Sequence, residues 1–171
     1  MNNLVLGNIF RFVGLFLVQV LVFKQVSEAI GPWFSIFIYP LFILLLPLVL
    51  PTSLVVLAGF FMGILIDMFY QSPGVHASAG AFSGFGRALI FAIFEPKGGF
   101  SSNYTTISPL TTGWQTFMQI AGVFFFAHLF WYFAVSEFTL VYFGSITLKT
   151  LGALVLSLLM VVIYLGLFRT K

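Results

Sequence analysis

The stretch GILIDMFYQSPGVHA, residues 63–77, brings an apolar run to an aspartate, Asp67, and continues into a Ser-Pro-Gly turn and a histidine. The run belongs to residues 53–70, and about 18 residues are enough for a helix to cross a hydrocarbon core of roughly 30 Å. A carboxylate at the end of such a run needs hydrogen-bond partners, because an unpaired charge is costly in apolar surroundings. The stretch therefore predicts a membrane-spanning helix that ends in a structured turn.

Composition extends this prediction to the whole chain. Of the 171 residues, 61% are hydrophobic and 6% are charged, against roughly 45–50% and about 25% in soluble domains. The segments do not alternate between apolar and polar residues as barrel strands do, so helices must satisfy the backbone. No cysteine is present, which excludes disulfides, thiolate chemistry and cysteine metal sites. The sequence predicts an all-α polytopic membrane protein.

Six transmembrane helices are predicted within a single integral membrane domain, 1–171. They cover residues 4–23, 33–50, 53–70, 77–94, 114–135 and 146–168. The tight LPTS connection makes the second and third spans an antiparallel hairpin. Pro40 and Pro47 are expected to bend the second span, because each removes a backbone donor.

The distribution of basic residues predicts the orientation. Six spans bring both termini to one side of the membrane, together with Lys97, Arg169 and Lys171. The other side has Lys24 and Lys149. Since cytoplasmic ends carry the excess of Lys and Arg, both termini are predicted to be cytoplasmic.

Two faces of small residues are predicted to pack the third span against the fourth. Residues three or four apart share a helix face, and small residues allow close approach of two backbones. The two faces consist of Gly59, Gly63 and Asp67 on the third span and of Ala77, Gly80, Gly84 and Arg87 on the fourth. Simple close packing is favoured over any special role for these motifs.

Asp67 is predicted to fix the turn between these two spans. Its carboxylate can accept backbone N–H bonds from the start of the next helix, where the helix dipole favours a negative charge. A direct ion pair with Arg87 is not expected, because the two residues differ in depth by about 10 Å at 1.5 Å per residue.

Arg11 and Arg87 are predicted to lie at similar depth, about 10 Å from the cytoplasmic face. An arginine there can snorkel to headgroup phosphate, line a wet cavity or meet carbonyl oxygens of a partner. Snorkelling is favoured for Arg11. For Arg87, snorkelling and a role in a cavity or interface both remain open.

The two histidines, His76 and His128, make a metal site conceivable together with Asp67. Their spacing matches no paired ligand set, so structural histidines are favoured and neither a metal nor a cofactor is expected. Enzyme chemistry would require a nucleophile beside a base, paired carboxylates or clustered ligands, and the sequence indicates none of these. A non-catalytic protein is predicted.

A family resemblance rests on GFFMGILIDMFYQSPGVHASAGAFSGFGR, residues 59–87. This stretch resembles the bacterial rod shape-determining protein MreD family, which is similar in its Gly-rich third span ending in an acid, its glycine-containing turn and its His-Ala pair. Here these positions are Gly59, Gly63, Asp67, Gly74, His76 and Ala77. Chain length, the six spans and the hairpin FILLLPLVLP extend the resemblance over nearly the whole sequence.

The resemblance implies a non-catalytic scaffold of the cell-elongation machinery in the bacterial inner membrane. It implies MreC as partner, RodA and its transpeptidase in the same assembly, and MreB filaments as an indirect partner. The family is also related in fold to the substrate-binding subunits of energy-coupling-factor transporters. A small-molecule transporter subunit is therefore the alternative function.

Overall fold

The computed structural model describes residues 2–31, 33–97, 99–100 and 104–168. Arg169 and Lys171, on which the predicted orientation partly rests, lie outside the described residues. The regular structure of the described part is helical. Its elements are α1 (Asn2–Val18), a π-helical turn (Gln19–Phe23), α2 (Lys24–Ile30), α3 (Pro40–Leu44), α4 (Thr52–Tyr70), α5 (Val75–Phe94), α6 (Pro109–Thr112), α7 (Trp114–Glu137), a 3₁₀ turn (Leu140–Tyr142) and α8 (Phe143–Leu167).

Five helices of the described part are long and apolar enough to cross a membrane. Four of them are α4, α5, α7 and α8, and the fifth is the continuous helix Leu4–Ile30, which α1 and α2 form with the π-helical turn between them. The chain is therefore an all-α membrane protein, as predicted. Five of the predicted spans coincide with these helices.

The predicted helix over residues 33–50 is wrong. Only Pro40–Leu44 is helical there, and residues 35–38 are not in a regular element. Pro40 occupies the first turn of α3, where its missing N–H is harmless, whereas Pro47 cannot continue a helix past Leu44. The two prolines interrupt this span rather than bend it. We refer to residues 35–50 as the broken segment.

The broken segment runs antiparallel to the first helix along most of its length. The Ile36 N–H donates to the Ser27 hydroxyl, 3.0 Å away, near the end of α2. Further along, the ring of Phe42 packs edge-to-face on Phe12, with centroids 5.1 Å apart. The segment thus returns from the far end of α2 towards the start of α1. Most of it is buried, including all residues from 36 to 46.

Side chains of the surrounding helices satisfy the backbone of the broken segment. Gln19 donates its Nε2–H to the Ile36 carbonyl at 3.0 Å and accepts the Ile38 N–H at 2.8 Å. Ser157, on α8, accepts the Phe37 N–H at 2.9 Å. Non-helical backbone is tolerated at membrane depth only where protein or water satisfies it. Side chains of the neighbouring helices therefore satisfy backbone groups of residues 36–38, which lie outside any helix.

Helices α4 and α5 touch through their backbones. A Cβ built on Gly59 would overlap the carbonyl of Gly80, and one on Gly80 would overlap that of Gly59. A Cβ on Gly63 would likewise overlap the backbone of Ala77, and one on Gly84 would lie 2.7 Å from a Cα atom of α4. Larger side chains at these positions are incompatible with the observed separation of the helices.

Candidate functional site

The carboxylate of Asp67 joins the end of α4 to the start of α5. Its Oδ2 accepts the backbone N–H groups of Gly74 at 3.1 Å and Ala77 at 3.0 Å. Its Oδ1 accepts the Ser72 hydroxyl and both the backbone N–H and the Nδ1–H of His76, each at 2.9 Å. The negative charge thus lies at the positive end of the α5 dipole, where N–H groups have no partner within the helix.

Gly74 makes this geometry possible. It precedes the first residue of α5 with φ of 85°, in the left-handed region that glycine adopts without steric penalty. Its own N–H is one of the donors to Asp67. A residue with a Cβ would be strained in this conformation, which explains the glycine in the Ser-Pro-Gly turn.

His76 is fully buried in a group of aromatic rings. Its ring centroid lies 4.7 Å from those of Tyr70 and Tyr132, 5.7 Å from Tyr39 and 6.0 Å from Phe37. Nδ1 is bonded to Asp67, but Nε2 has no hydrogen-bond partner among the described residues. We call these four rings the aromatic cage.

The arrangement of Asp67, Ser72 and His76 differs from that of a serine hydrolase. In a catalytic triad the serine hydroxyl contacts Nε2 of the histidine while the acid holds Nδ1. Here the Ser72 hydroxyl lies 3.0 Å from Nδ1, the same nitrogen that contacts the carboxylate, and donates its proton to Asp67. The histidine is therefore not positioned to remove the proton of Ser72.

His128 belongs to a different hydrogen-bond network. Its Nδ1 lies 2.7 Å from the Ser83 hydroxyl and its Nε2 lies 2.7 Å from the Tyr39 hydroxyl. All three side chains are buried. The imidazole thereby connects α7 to α5 and to the broken segment. Among the described residues no three potential metal ligands lie together, and the hydrogen bonds of His128 go to Ser83 and Tyr39 rather than to Asp67 or His76.

Arg87 and Arg11 converge on the turn that ends α3. Arg87 is buried and donates to the carbonyls of Leu44, at 3.4 Å, and Leu46. Arg11 donates to the carbonyl of Leu45 at 3.2 Å. Carbonyls at a helix end lack partners within the helix and attract positive charge. The structure therefore places both guanidinium groups against carbonyls of their own chain.

A cavity of about 330 Å³ lies at the end of the bundle opposite the start of α1. Three rings of the aromatic cage, Phe37, Tyr70 and Tyr132, line it, and polar side chains of α2 and the following loop form its rim. The Nζ atom of Lys24 lies 2.7 Å from Oε1 of Glu28 on this rim. The polar lining includes Lys24, Ser27, Glu28, Ser35, Tyr70 and Tyr132.

The sequence interpretation missed two polar residues that hold the interior together. Gln19 and Ser157 each stand within a long apolar run, and each bonds the backbone of the broken segment. An isolated amide or hydroxyl in such a run is itself a signal, because it needs a partner inside the membrane.

Comparison of the chain with protein-family models, with curated proteins and with solved structures finds no match.

Proposed function

We propose that the chain is a non-catalytic scaffold subunit of a bacterial inner-membrane assembly. The observation that carries this proposal is the use of the buried polar side chains. Asp67, Gln19 and Arg87 all bond backbone groups of the chain itself. Such residues build a rigid bundle, which is what a protein that presents a surface to other membrane proteins requires.

The resemblance to the MreD family gives this scaffold a setting. Asp67, Gly74 and His76, which carry the resemblance, are the same residues that join α4 to α5. In the proposed setting the chain binds MreC, works alongside RodA and its transpeptidase, and is linked indirectly to MreB filaments. Its role is to help organise peptidoglycan synthesis and so maintain cell shape.

A role without catalysis is supported by the positions of the two histidines. Ser72 and Asp67 both contact the same ring nitrogen of His76, Nδ1. Both ring nitrogens of His128 are hydrogen-bonded inside the bundle. Neither arrangement gives a general base beside an accessible nucleophile.

We further propose that the broken segment is a sixth membrane crossing. It leaves the end of α2 and reaches the level of Arg11, in the first half of α1, by Leu45. On this proposal six crossings return the chain to its starting side, and both termini are cytoplasmic. The likeness to the fold of the transporter subunits is part of the same proposal.

Depletion from the native host tests the scaffold function. We expect cells to lose their rod shape when the chain is removed and to recover it with the wild-type chain. The Asp67→Asn variant is expected to restore shape poorly, whereas the exposed control Glu95→Gln restores it fully. Normal shape in depleted cells would contradict the proposal.

The alternative is a substrate-binding subunit of an energy-coupling-factor-type transporter. The cavity of about 330 Å³ favours it, because small-molecule sites are concave and carry a few convergent polar groups. A transporter subunit requires a soluble small molecule bound at this end of the bundle and paired ATPases as companions. The scaffold requires neither.

A further inference from the structure

The cavity beside the aromatic cage combines a cation, an anion and aromatic faces. Lys24 and Glu28 stand one helical turn apart on its rim, and Tyr70 and Tyr132 line its wall. The side chain of Lys24 is 28% exposed and that of Glu28 is 64% exposed. An exposed pair of this kind contributes little to stability, so each partner can be exchanged for a ligand group at small cost.

The position of the cavity suggests where its ligand comes from. Helix α4 has 19 residues and a length of about 28 Å, which matches a hydrocarbon core of roughly 30 Å. Its last residue, Tyr70, hydrogen-bonds Gln19 at 2.7 Å, so Gln19 lies near the level at which α4 ends. Lys24 follows five residues later, about 7 Å further along the helix. This is the depth of the phospholipid headgroups, since a bilayer measures about 40–45 Å with them.

Aromatic residues next to the cavity are consistent with this depth. Trp33 and Phe34 follow Gly31 of the cavity lining and are 46% and 52% exposed. Tryptophan is enriched at the boundary between hydrocarbon and headgroups.

We propose that this cavity binds the headgroup of a zwitterionic phospholipid with a primary ammonium group, the phosphatidylethanolamine class. Lys24 binds the phosphate as a point charge. Glu28 and the hydroxyl groups of Ser27 and Ser35 accept N–H bonds from the ammonium. The face of Tyr132 adds a cation–π contact. When the lipid binds, the ion pair between Lys24 and Glu28 is replaced by two ion pairs, one between Lys24 and the phosphate and one between Glu28 and the ammonium. The net charge of the rim stays zero.

Lipid titration of the delipidated full chain in detergent tests this site. The probes are phosphatidylethanolamine, phosphatidylcholine and phosphatidylglycerol with identical acyl chains, followed through the fluorescence of the tryptophans and the thermal unfolding midpoint. Phosphatidylethanolamine is expected to bind about tenfold more tightly than phosphatidylcholine, because choline has no N–H to donate to Glu28. Equal binding of the two lipids would overturn the proposal.

Two variants locate the binding on the rim of the cavity. Glu28→Gln is expected to abolish the preference for phosphatidylethanolamine over phosphatidylcholine. Lys24→Gln is expected to weaken the binding of both lipids about tenfold. The control is Lys97→Gln, because Lys97 is exposed and does not line this cavity. Unfolding midpoints without lipid show whether each variant is folded. A preference that survives Glu28→Gln would contradict the site.

A soluble headgroup distinguishes a membrane lipid from a free solute. Glycerophosphoethanolamine carries the same phosphate and ammonium without acyl chains. We expect it to bind at least about tenfold more weakly than the lipid, because the acyl chains bury apolar surface. Binding of the soluble compound as tight as that of the lipid would overturn the assignment to a lipid and favour a soluble ligand.

Discussion

Charged and amide side chains inside this bundle occur where the backbone lacks partners. Asp67 meets the free N–H groups at the start of α5, and Arg87 meets free carbonyls after the end of α3. A buried charge is costly unless it is hydrogen-bonded, and so is an unpaired backbone group in the membrane. Each of these residues therefore satisfies its own buried charge and the unpaired backbone groups with the same hydrogen bonds.

The first prediction at this scale concerns Asp67→Asn. The amide keeps the size of the carboxylate but cannot accept bonds on both sides, so it faces at least one backbone N–H with an N–H of its own. We expect the free energy of unfolding in detergent to fall by about 2 kcal/mol. Glu95→Gln, at an exposed acid, is the control. Equal stability of the two variants would show that Asp67 does not hold this turn.

A second prediction compares the two arginines. Arg87→Met removes the donor to two carbonyls, whereas Arg11→Met removes the donor to one. Because each buried carbonyl left without a partner costs about 1–3 kcal/mol, Arg87→Met should destabilise the chain more than Arg11→Met. Denaturant unfolding of the two variants measures the difference. The reverse order would contradict the assigned contacts.

Part of this site could be predicted from sequence. An acid at the end of an apolar helix, followed by Ser-Pro-Gly, indicates bonds to the next helix without any knowledge of the fold. The aromatic cage of His76 could not be predicted, because Tyr39 and Tyr132 lie far from it in sequence. The same holds for the contacts of Arg87, since they depend on a helix end that the sequence interpretation did not recognise.

At the scale of elements, the α4–α5 hairpin is a pair of backbones in direct contact. Spacings of three and four residues are sufficient to predict which faces meet, because helix geometry is independent of the rest of the fold.

A third prediction concerns Gly80→Ala, whose new methyl group overlaps the Gly59 carbonyl. We expect the free energy of unfolding in detergent to fall by about 3 kcal/mol, as in other overpacked interfaces. Outside its own helix backbone, no atom of the described residues lies within 4 Å of the Cβ in Gly86→Ala on the same helix. This control variant is expected to unfold at the same temperature as the wild type or at a higher one.

The broken segment shows why hydropathy alone misjudged one element. Its residues are as apolar as those of a helix, and two prolines are compatible with either a bend or an interruption. The outcome depends on whether neighbouring helices can satisfy the freed backbone groups. Here Gln19 and Ser157 do so, and neither residue is near the segment in sequence.

A fourth prediction tests this dependence. Gln19→Leu leaves the Ile36 carbonyl and the Ile38 N–H without their partner. We therefore expect the free energy of unfolding to fall by about 2 kcal/mol. Gln25→Leu makes the same change at an exposed position of α2 and serves as control. Thermal unfolding in detergent compares the two. Indistinguishable midpoints would mean that the segment does not rely on Gln19.

For the whole molecule, the path of the broken segment decides the topology. The chain has no cysteine, so single cysteines can be placed on either side of the buried part of the segment. Ala29, near the end of α2, precedes the segment, Val49 lies near its last residue, and both are exposed. A fifth prediction is that a membrane-impermeant maleimide applied to intact cells labels Ala29→Cys and spares Val49→Cys, while permeabilised cells label both. Labelling of both sites in intact cells would show that both lie on the same side of the membrane, which would contradict a crossing and indicate a re-entrant loop.

Proteins that accompany the chain in its native membrane test the proposed scaffold most directly. The measurement is purification in a gentle detergent, with the companions identified by mass spectrometry and a purification from untagged cells as control. We predict recovery of MreC together with RodA and its transpeptidase. Recovery of paired ATPases with a coupling protein, and no MreC, would contradict the scaffold and establish the transporter alternative.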